Sequence, residues 1–193
     1  MFDGHGVQGH LISDYIKGYF NSFFSQEELY VSNKNCPYTK PSLEDVYTKL
    51  SSNNYSLINY AFNLCENSLS KTKLDASMSG STCIIMFIIN DKIITANAGD
   101  SRAMLSCQNN IRQLSYDHKP DNKDEKNRII NAGGRVHPIK DMGRFIGPNR
   151  VWVKKGDYPG LAMSRSIGDL VAKSVGCTCA PGMFLLNNNN FNC

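Results

Sequence analysis

Apolar residues recur along the chain at two different periods. From Val7 to Phe24, the positions Val7, Leu11, Tyr15 and Tyr19 return every fourth residue, and Ile12, Ile16, Phe20 and Phe23 widen the stripe. That period predicts a helix with one buried face. Residues 25–40 are polar and carry Cys36-Pro37, which predicts a loop. Pro41-Ser42-Leu43-Glu44-Asp45 has the proline and acids of a helical first turn. This second helix is expected to run to Leu69, interrupted near residues 51–54, with Ile58, Ala61, Phe62, Cys65 and Leu69 on its apolar face.

The period then changes. After the small-residue loop 77–81, Thr82 to Ile89 is β-branched and apolar on both faces, as in a buried strand. Asn90-Asp91 predicts a turn, Lys92 to Asn97 a second strand, and Ser101 to Cys107 a third, so that an antiparallel meander is expected. Ile111 to Leu114 predicts a short strand, and Asn122 to Ala132 a helix stopped by Gly133-Gly134. From Val136 to Pro159 the pattern is loose and rich in glycine and proline. It is read as a flap over a site, with Arg150 to Val153 a strand within it. A strand and a turn close the sequence from Gly160 to Asp169. Helices and strands in this order predict an α+β fold with helices packed on sheet.

Composition narrows the classes. The 193 residues suffice for one domain, with 41% hydrophobic and 20% charged residues. The net charge of +4 comes from scattered basic residues, so nucleic acid is not expected as a partner. No run is long and apolar enough for a bilayer span, so no membrane partner is expected either. Met1-Phe2-Asp3 has neither the basic nor the apolar part of a secretory signal. The seven cysteines then read as reduced thiols in an intracellular compartment. Cys177, Cys179 and Cys193 lack a recognisable zinc spacing.

Candidate chemistry gathers at the start, in Phe2-Asp3-Gly4-His5-Gly6. Asp3 is a hard oxygen ligand suited to Mg²⁺ or Mn²⁺. Gly4 lets a metal or substrate approach its backbone carbonyl. His5 exchanges protons near neutral pH. Together they suggest metal-assisted hydrolysis. Asp100 lies in the turn Gly99-Asp100-Ser101-Arg102, where Arg102 is free to pair with Asp100, another carboxylate or a substrate phosphate. His10 reads as a surface or partly buried residue, and His118 and Lys119 as part of a turn before a helix.

Six segments, taken in order, resemble the PP2C (PPM-type) family of metal-dependent protein serine/threonine phosphatases. They are Phe2-Asp3-Gly4-His5-Gly6, Ser79-Gly80-Ser81-Thr82, the stretch from Ala96 to Arg102, Asp117-His118-Lys119-Pro120, Asn131-Ala132-Gly133-Gly134, and the stretch from Leu161 to Asp169. The resemblance implies a four-layer α-β-β-α sandwich of two antiparallel sheets flanked by helices. It implies hydrolysis of phosphoserine and phosphothreonine in protein substrates, by a water held between two Mg²⁺ or Mn²⁺ ions and without a covalent intermediate. On this resemblance Asp3 bridges the two metals, Gly4 ligates one through its carbonyl, and Asp100 binds a third. His5 is then the general acid, and Arg102, Arg165 and Asp169 are structural. A monomer is expected, cytoplasmic or nuclear.

The resemblance also has limits. The family's acidic pair and phosphate-binding arginine, which precede the first motif, and its later Asp-Gly and Asp-Asn motifs have no counterpart here. The family continues through Pro-Glu where this chain has Pro181-Gly182. Residues 1–181 are therefore expected to be a partial phosphatase domain, incomplete at both ends, and 182–193 a non-homologous Asn-rich tail. A chain so truncated is expected to have little or no activity of its own. The alternatives are an inactive pseudophosphatase that binds phosphoproteins and a hydrolase of small phosphoesters.

Overall fold

A computed structural model describes residues 1–24, 55–89, 92–107 and 110–187. The expected loop at 25–40, the proline-led helix start, the Asn90-Asp91 turn, Cys36 and Cys193 lie outside these residues. The first elements are β1 (Gly4–His5), α1 (Gly9–Phe24) and α2 (Ser56–Leu69). Helix α1 buries Ile12, Ile16 and Phe20, whereas Val7 and Leu11 are exposed. The buried stripe is thus centred one residue away from the fourfold repeat that the sequence suggests. Both stripes are apolar, and the packing partner decides between them. That partner is α2, whose Phe62 meets Phe20 with ring centroids 4.9 Å apart. Tyr15 Oη and Ser68 Oγ share a hydrogen bond of 2.6 Å across the same seam.

The two helices cover one face of a sheet made of β3 (Cys83–Ile89), β4 (Lys92–Ala98) and β11 (Gly182–Asn187), in the order β11-β4-β3. Strand β4 is central and buried almost throughout. Its Ile94, Ala96 and Ala98 join the helix-side core, while Ile93 faces the opposite core with Leu114 and Leu186. This is the period-2 alternation of a two-sided strand. Strand β3 departs from expectation. Cys83 and Ile84 are buried, yet Met86 and Ile88 are exposed, because β3 ends the sheet and only its helix side is covered.

The expected three-strand meander does not form. Strand β5 (Met104–Cys107) pairs with β6 (Asn110–Gln113), and β4 takes β11 as its second neighbour. Residues 182–187, assigned from sequence to the tail, are therefore part of the sheet. Their Met-Phe-Leu-Leu core supplies Leu186 and Phe184 to the apolar cluster with Leu114.

The loose stretch after Gly134 is ordered. It forms β7 (Arg135–Asp141) and β8 (Arg144–Trp152), joined by Met142 and Gly143 at φ 44° and 81°. Two consecutive positive φ values match the twist of a tight hairpin. Strand β9 (Pro159–Leu161) adds a third strand. Near its base the hairpin is anchored by Trp152, which stacks on His137 and donates Nε1–H to the His137 carbonyl at 2.8 Å. At its tip Met142, Phe145 and Ile146 are exposed. The alternation fades there because neither face is covered.

The remaining elements are β2 (Gly80–Ser81), α3 (Lys123–Asn131), β10 (Ile167–Gly168) and α4 (Leu170–Lys173). A charged cluster fixes α3 against the chain entering β10. Glu125 is 4% exposed and accepts from Arg128 at 2.9 and 2.7 Å, from Arg165 at 2.6 Å and from Ser164 Oγ at 2.5 Å. Arg165 also donates to the Ala180 carbonyl at 2.9 Å, and Arg128 to that of Gly176 at 2.7 Å. Burial alone would raise the Glu125 pKa. The hydrogen bonds from Arg128, Arg165 and Ser164 outweigh it and hold the carboxyl well below the usual carboxylate range.

Removing one member of a buried ion cluster leaves the others uncompensated, at a cost of about 3 kcal/mol. Glu125→Gln should therefore lower the unfolding free energy by about that amount in urea titrations. A midpoint that does not move would contradict this role.

Candidate active site

Three distant segments meet in one small ladder. Strand β2 lies between β1 and β10, with Gly4 opposite Ser81 and His5 opposite Gly80 on one side. Ile167 and Gly168 face the same two residues on the other. The turn of residues 2–6, the small-residue loop 79–82 and the segment 164–169 are thereby locked edge to edge. Glycine is required where backbones crowd. A Cβ on Gly4 would lie 2.1 Å from the Gly9 carbonyl oxygen, so the turn folds tightly onto the start of α1. A Cβ on Gly80 would lie 2.3 Å from Asp169 Oδ2.

Asp3 is held by its backbone and is exposed. Its N–H donates to Thr82 Oγ1 and its carbonyl accepts from the Thr82 N–H, each at 3.0 Å. Thr82 Oγ1 in turn shares a 2.7 Å hydrogen bond with Ser101 Oγ. That bridge ties the first turn to the bend that follows β4, where Asp100 lies. Asp3, Gly4, His5 and Asp100 thus belong to one end of the sheets. Asp100 is salt-bridged to Lys119. Arg102 forms a two-pronged pair with Asp117, at 2.9 and 2.6 Å, and not with Asp100. His10 is exposed on α1.

His5 is about a quarter exposed and its Nε2 lies 2.7 Å from Asp169 Oδ2. Burial disfavours the charged ring, and the hydrogen bond and charge of Asp169 overcome it, so the His5 pKa is raised. The Asp3 backbone lies close enough to favour the protonated ring without completing a well-formed hydrogen bond, and the Asp100 charge adds at longer range. The resemblance places Asp169 among the structural residues, and in the fold its carboxylate lies against His5. Asp169 is 164 positions from His5, and no periodicity links the two.

The bend at Asp100 rests on His118, which is buried. Its N–H donates to the Gly99 carbonyl at 3.0 Å, its Nδ1 lies 3.1 Å from the same oxygen, and its carbonyl accepts from the Ser164 N–H at 2.9 Å. Among the described residues no group of three or more His, Cys, Asp or Glu side chains lies together as a metal cluster. The donors at this end of the fold are hard oxygens: the Asp3 carboxylate, the Gly4 carbonyl and the Asp100 carboxylate. That set suits Mg²⁺ in kind, since Mg²⁺ takes one or two carboxylates and completes its shell with water.

Comparison with known proteins gives a consistent family. The family model described as "Protein phosphatase 2C" matches residues 1–187. The Arabidopsis thaliana protein named "Probable protein phosphatase 2C 35" is 31% identical over 206 residues, covering 97% of this chain and 53% of that protein. The Oryza sativa subsp. japonica protein named "Probable protein phosphatase 2C 12" is 41% identical over 113 residues, covering 56% of this chain and 28% of that one. The chain spans about half the length of the curated relatives that it matches along most of its own. Among solved structures, a serine-threonine phosphatase 2C from Toxoplasma gondii superposes with a TM-score of 0.64 at 21% identity, covering 96% of this chain and 62% of that one. A C. elegans sex determining protein gives 0.65 at 23% identity, covering 96% and 38%. At these identities the likeness is one of fold, an α+β sandwich.

Burial, with the Arg165 charge adding to it, lowers the His118 pKa from 6.5 to about 4. Between those values the unfolded chain binds a proton that the folded chain does not. Stability is therefore complete above pH 6.5 and falls as the pH drops toward 4, by up to about 3 kcal/mol. Urea titrations at pH 7, 5.5 and 4.5 should show this decline, and His118→Gln should flatten it. An unchanged slope in the variant would assign the decline to other groups.

Proposed function

The chain belongs to the protein phosphatase 2C family, and we propose that the protein carrying it hydrolyses phosphoserine and phosphothreonine in protein substrates. The observation that carries this reading is the Asp3-Gly4-His5 turn, held by the central ladder beside the bend at Asp100. In this reading the Asp3 carboxylate and the Gly4 carbonyl would hold two Mg²⁺ or Mn²⁺ ions, and Asp100, which is paired with Lys119 here, would hold a third. Such ions supply a nucleophilic water at neutral pH and neutralise phosphate charge. His5 delivers a proton to the seryl or threonyl oxygen as it leaves phosphorus. A positioned acid of this kind contributes about 10²–10⁴-fold.

The remaining readings are proposals of the same kind. The protein works as a monomer in the cytoplasm or nucleus, on phosphoproteins and not on nucleic acid or membranes. The mild, scattered charge supports the first exclusion. No helix among the described residues is long and apolar enough to cross a membrane. Four buried free thiols, Cys65, Cys83, Cys177 and Cys179, support a reducing compartment. Burial pushes the Cys177 thiol up to about 12, which suits a packing role and not a metal ligand.

Hydrolysis of a phosphoserine peptide should require Mn²⁺ or Mg²⁺ and stop with chelator. Asp3→Asn should lower kcat/KM by about 10²-fold or more, and His5→Gln by about 10²–10⁴-fold. Turnover that survives chelation, or that ignores Asp3→Asn, would contradict the metal-site reading. Binding of phosphorylated proteins without turnover would favour the pseudophosphatase.

A further inference from the structure

Asp169 is built into the fold in a way that its own segment does not require. It stands at the start of α4 with φ 53° and ψ 48°, a left-handed conformation uncommon outside glycine. An aspartate in that place ordinarily caps its helix by accepting a backbone N–H. Here it makes no such bond. The carboxylate turns inward, is 2% exposed, and takes His5 Nε2 at 2.7 Å and Ser166 Oγ at 2.5 Å on the same oxygen. Gly80 leaves the room for it. A strained backbone and a forgone cap are the kind of local losses that persist at functional sites.

The hydrogen bond also sets the proton on the ring. A carboxylate only accepts, so Nε2 donates and carries the hydrogen. His5 Nδ1 is then the other ring nitrogen; it is buried, makes no well-formed hydrogen bond among the described residues, and is the nitrogen left to the side of the Asp3 backbone.

Resting on the reading of His5 as the proton donor, the geometry points to Asp169 as its positioning residue. Asp169 fixes the ring and keeps a proton on Nε2, which leaves Nδ1 as the nitrogen whose proton is free to move to the leaving oxygen of the substrate. In the step itself a water oxygen bonds to phosphorus. The P–O bond to the seryl or threonyl oxygen breaks, its electron pair stays on that oxygen, and the Nδ1 proton passes there. The ring is left neutral, with its remaining proton against Asp169. The proton shed by the water goes to solvent, and solvent restores the one on Nδ1.

Two measurements test this. Long-range ¹H–¹⁵N spectra of the unaltered, metal-free protein, at a pH where His5 is neutral, read its tautomer without any variant. The proposal expects the Nε2–H form, and the Nδ1–H form or a mixture of the two would overturn it. The second compares Asp169→Asn on a phosphoserine peptide and on 4-nitrophenyl phosphate, whose leaving group departs without a proton. Loss of a positioned acid should cost about 10²-fold or more in kcat on the peptide and less than about 10-fold on the aryl ester. Equal losses on both substrates would mark Asp169 as merely structural and overturn the proposal. An unaltered protein inactive on both counts against the phosphatase reading alone, and the tautomer still decides the role of Asp169.

Discussion

The 2.7 Å contact between His5 and Asp169 closes the ladder of β1, β2 and β10 around a buried charge. Each of those strands is two residues long, too short to be stable alone. They hold because larger elements bring them together. Helix α1 starts four residues after His5 and buries its apolar stripe against α2. Strand β3 leaves β2 directly and enters the main sheet. The site is therefore a seam between larger elements that share one core, and its geometry is inherited from them.

A second tier of buried polar groups sets where β10 begins. Glu125 binds Arg165, two residues before Ile167, and the His118 carbonyl takes the Ser164 N–H. These groups touch neither Asp3 nor His5. They are satisfied almost completely, which is the condition under which buried polar clusters specify one arrangement and not several. Replacing them by apolar residues could preserve stability, but would release the register that places Asp169 under His5.

Much of this was legible in the sequence where a period or a compact motif was present. The two helices, β3, β4 and α3 follow from apolar spacing, and the Asp3–Gly6 turn from its residue types. The resemblance to phosphatases rested on six short segments, and the family match over residues 1–187 agrees with it. What escaped was non-local. Nothing in Ser101–Cys107 says that it will pair with Asn110–Gln113 in preference to β4, since both are half-polar. Nothing in Met183-Phe184-Leu185-Leu186, next to a run of asparagines, says that β4 lacks a neighbour that it will supply. The hairpin of β7 and β8 hid because its outer half is exposed on both faces. Asp169 hid because its partner lies at the other end of the chain.

The most direct test of the central claim is an anomalous diffraction map of crystals grown with Mn²⁺. The account predicts manganese density beside the Asp3 carboxylate and the Gly4 carbonyl, with the His5 ring still held on Asp169. Density elsewhere with none at Asp3, or a His5 ring turned away from Asp169 in the loaded protein, would contradict it.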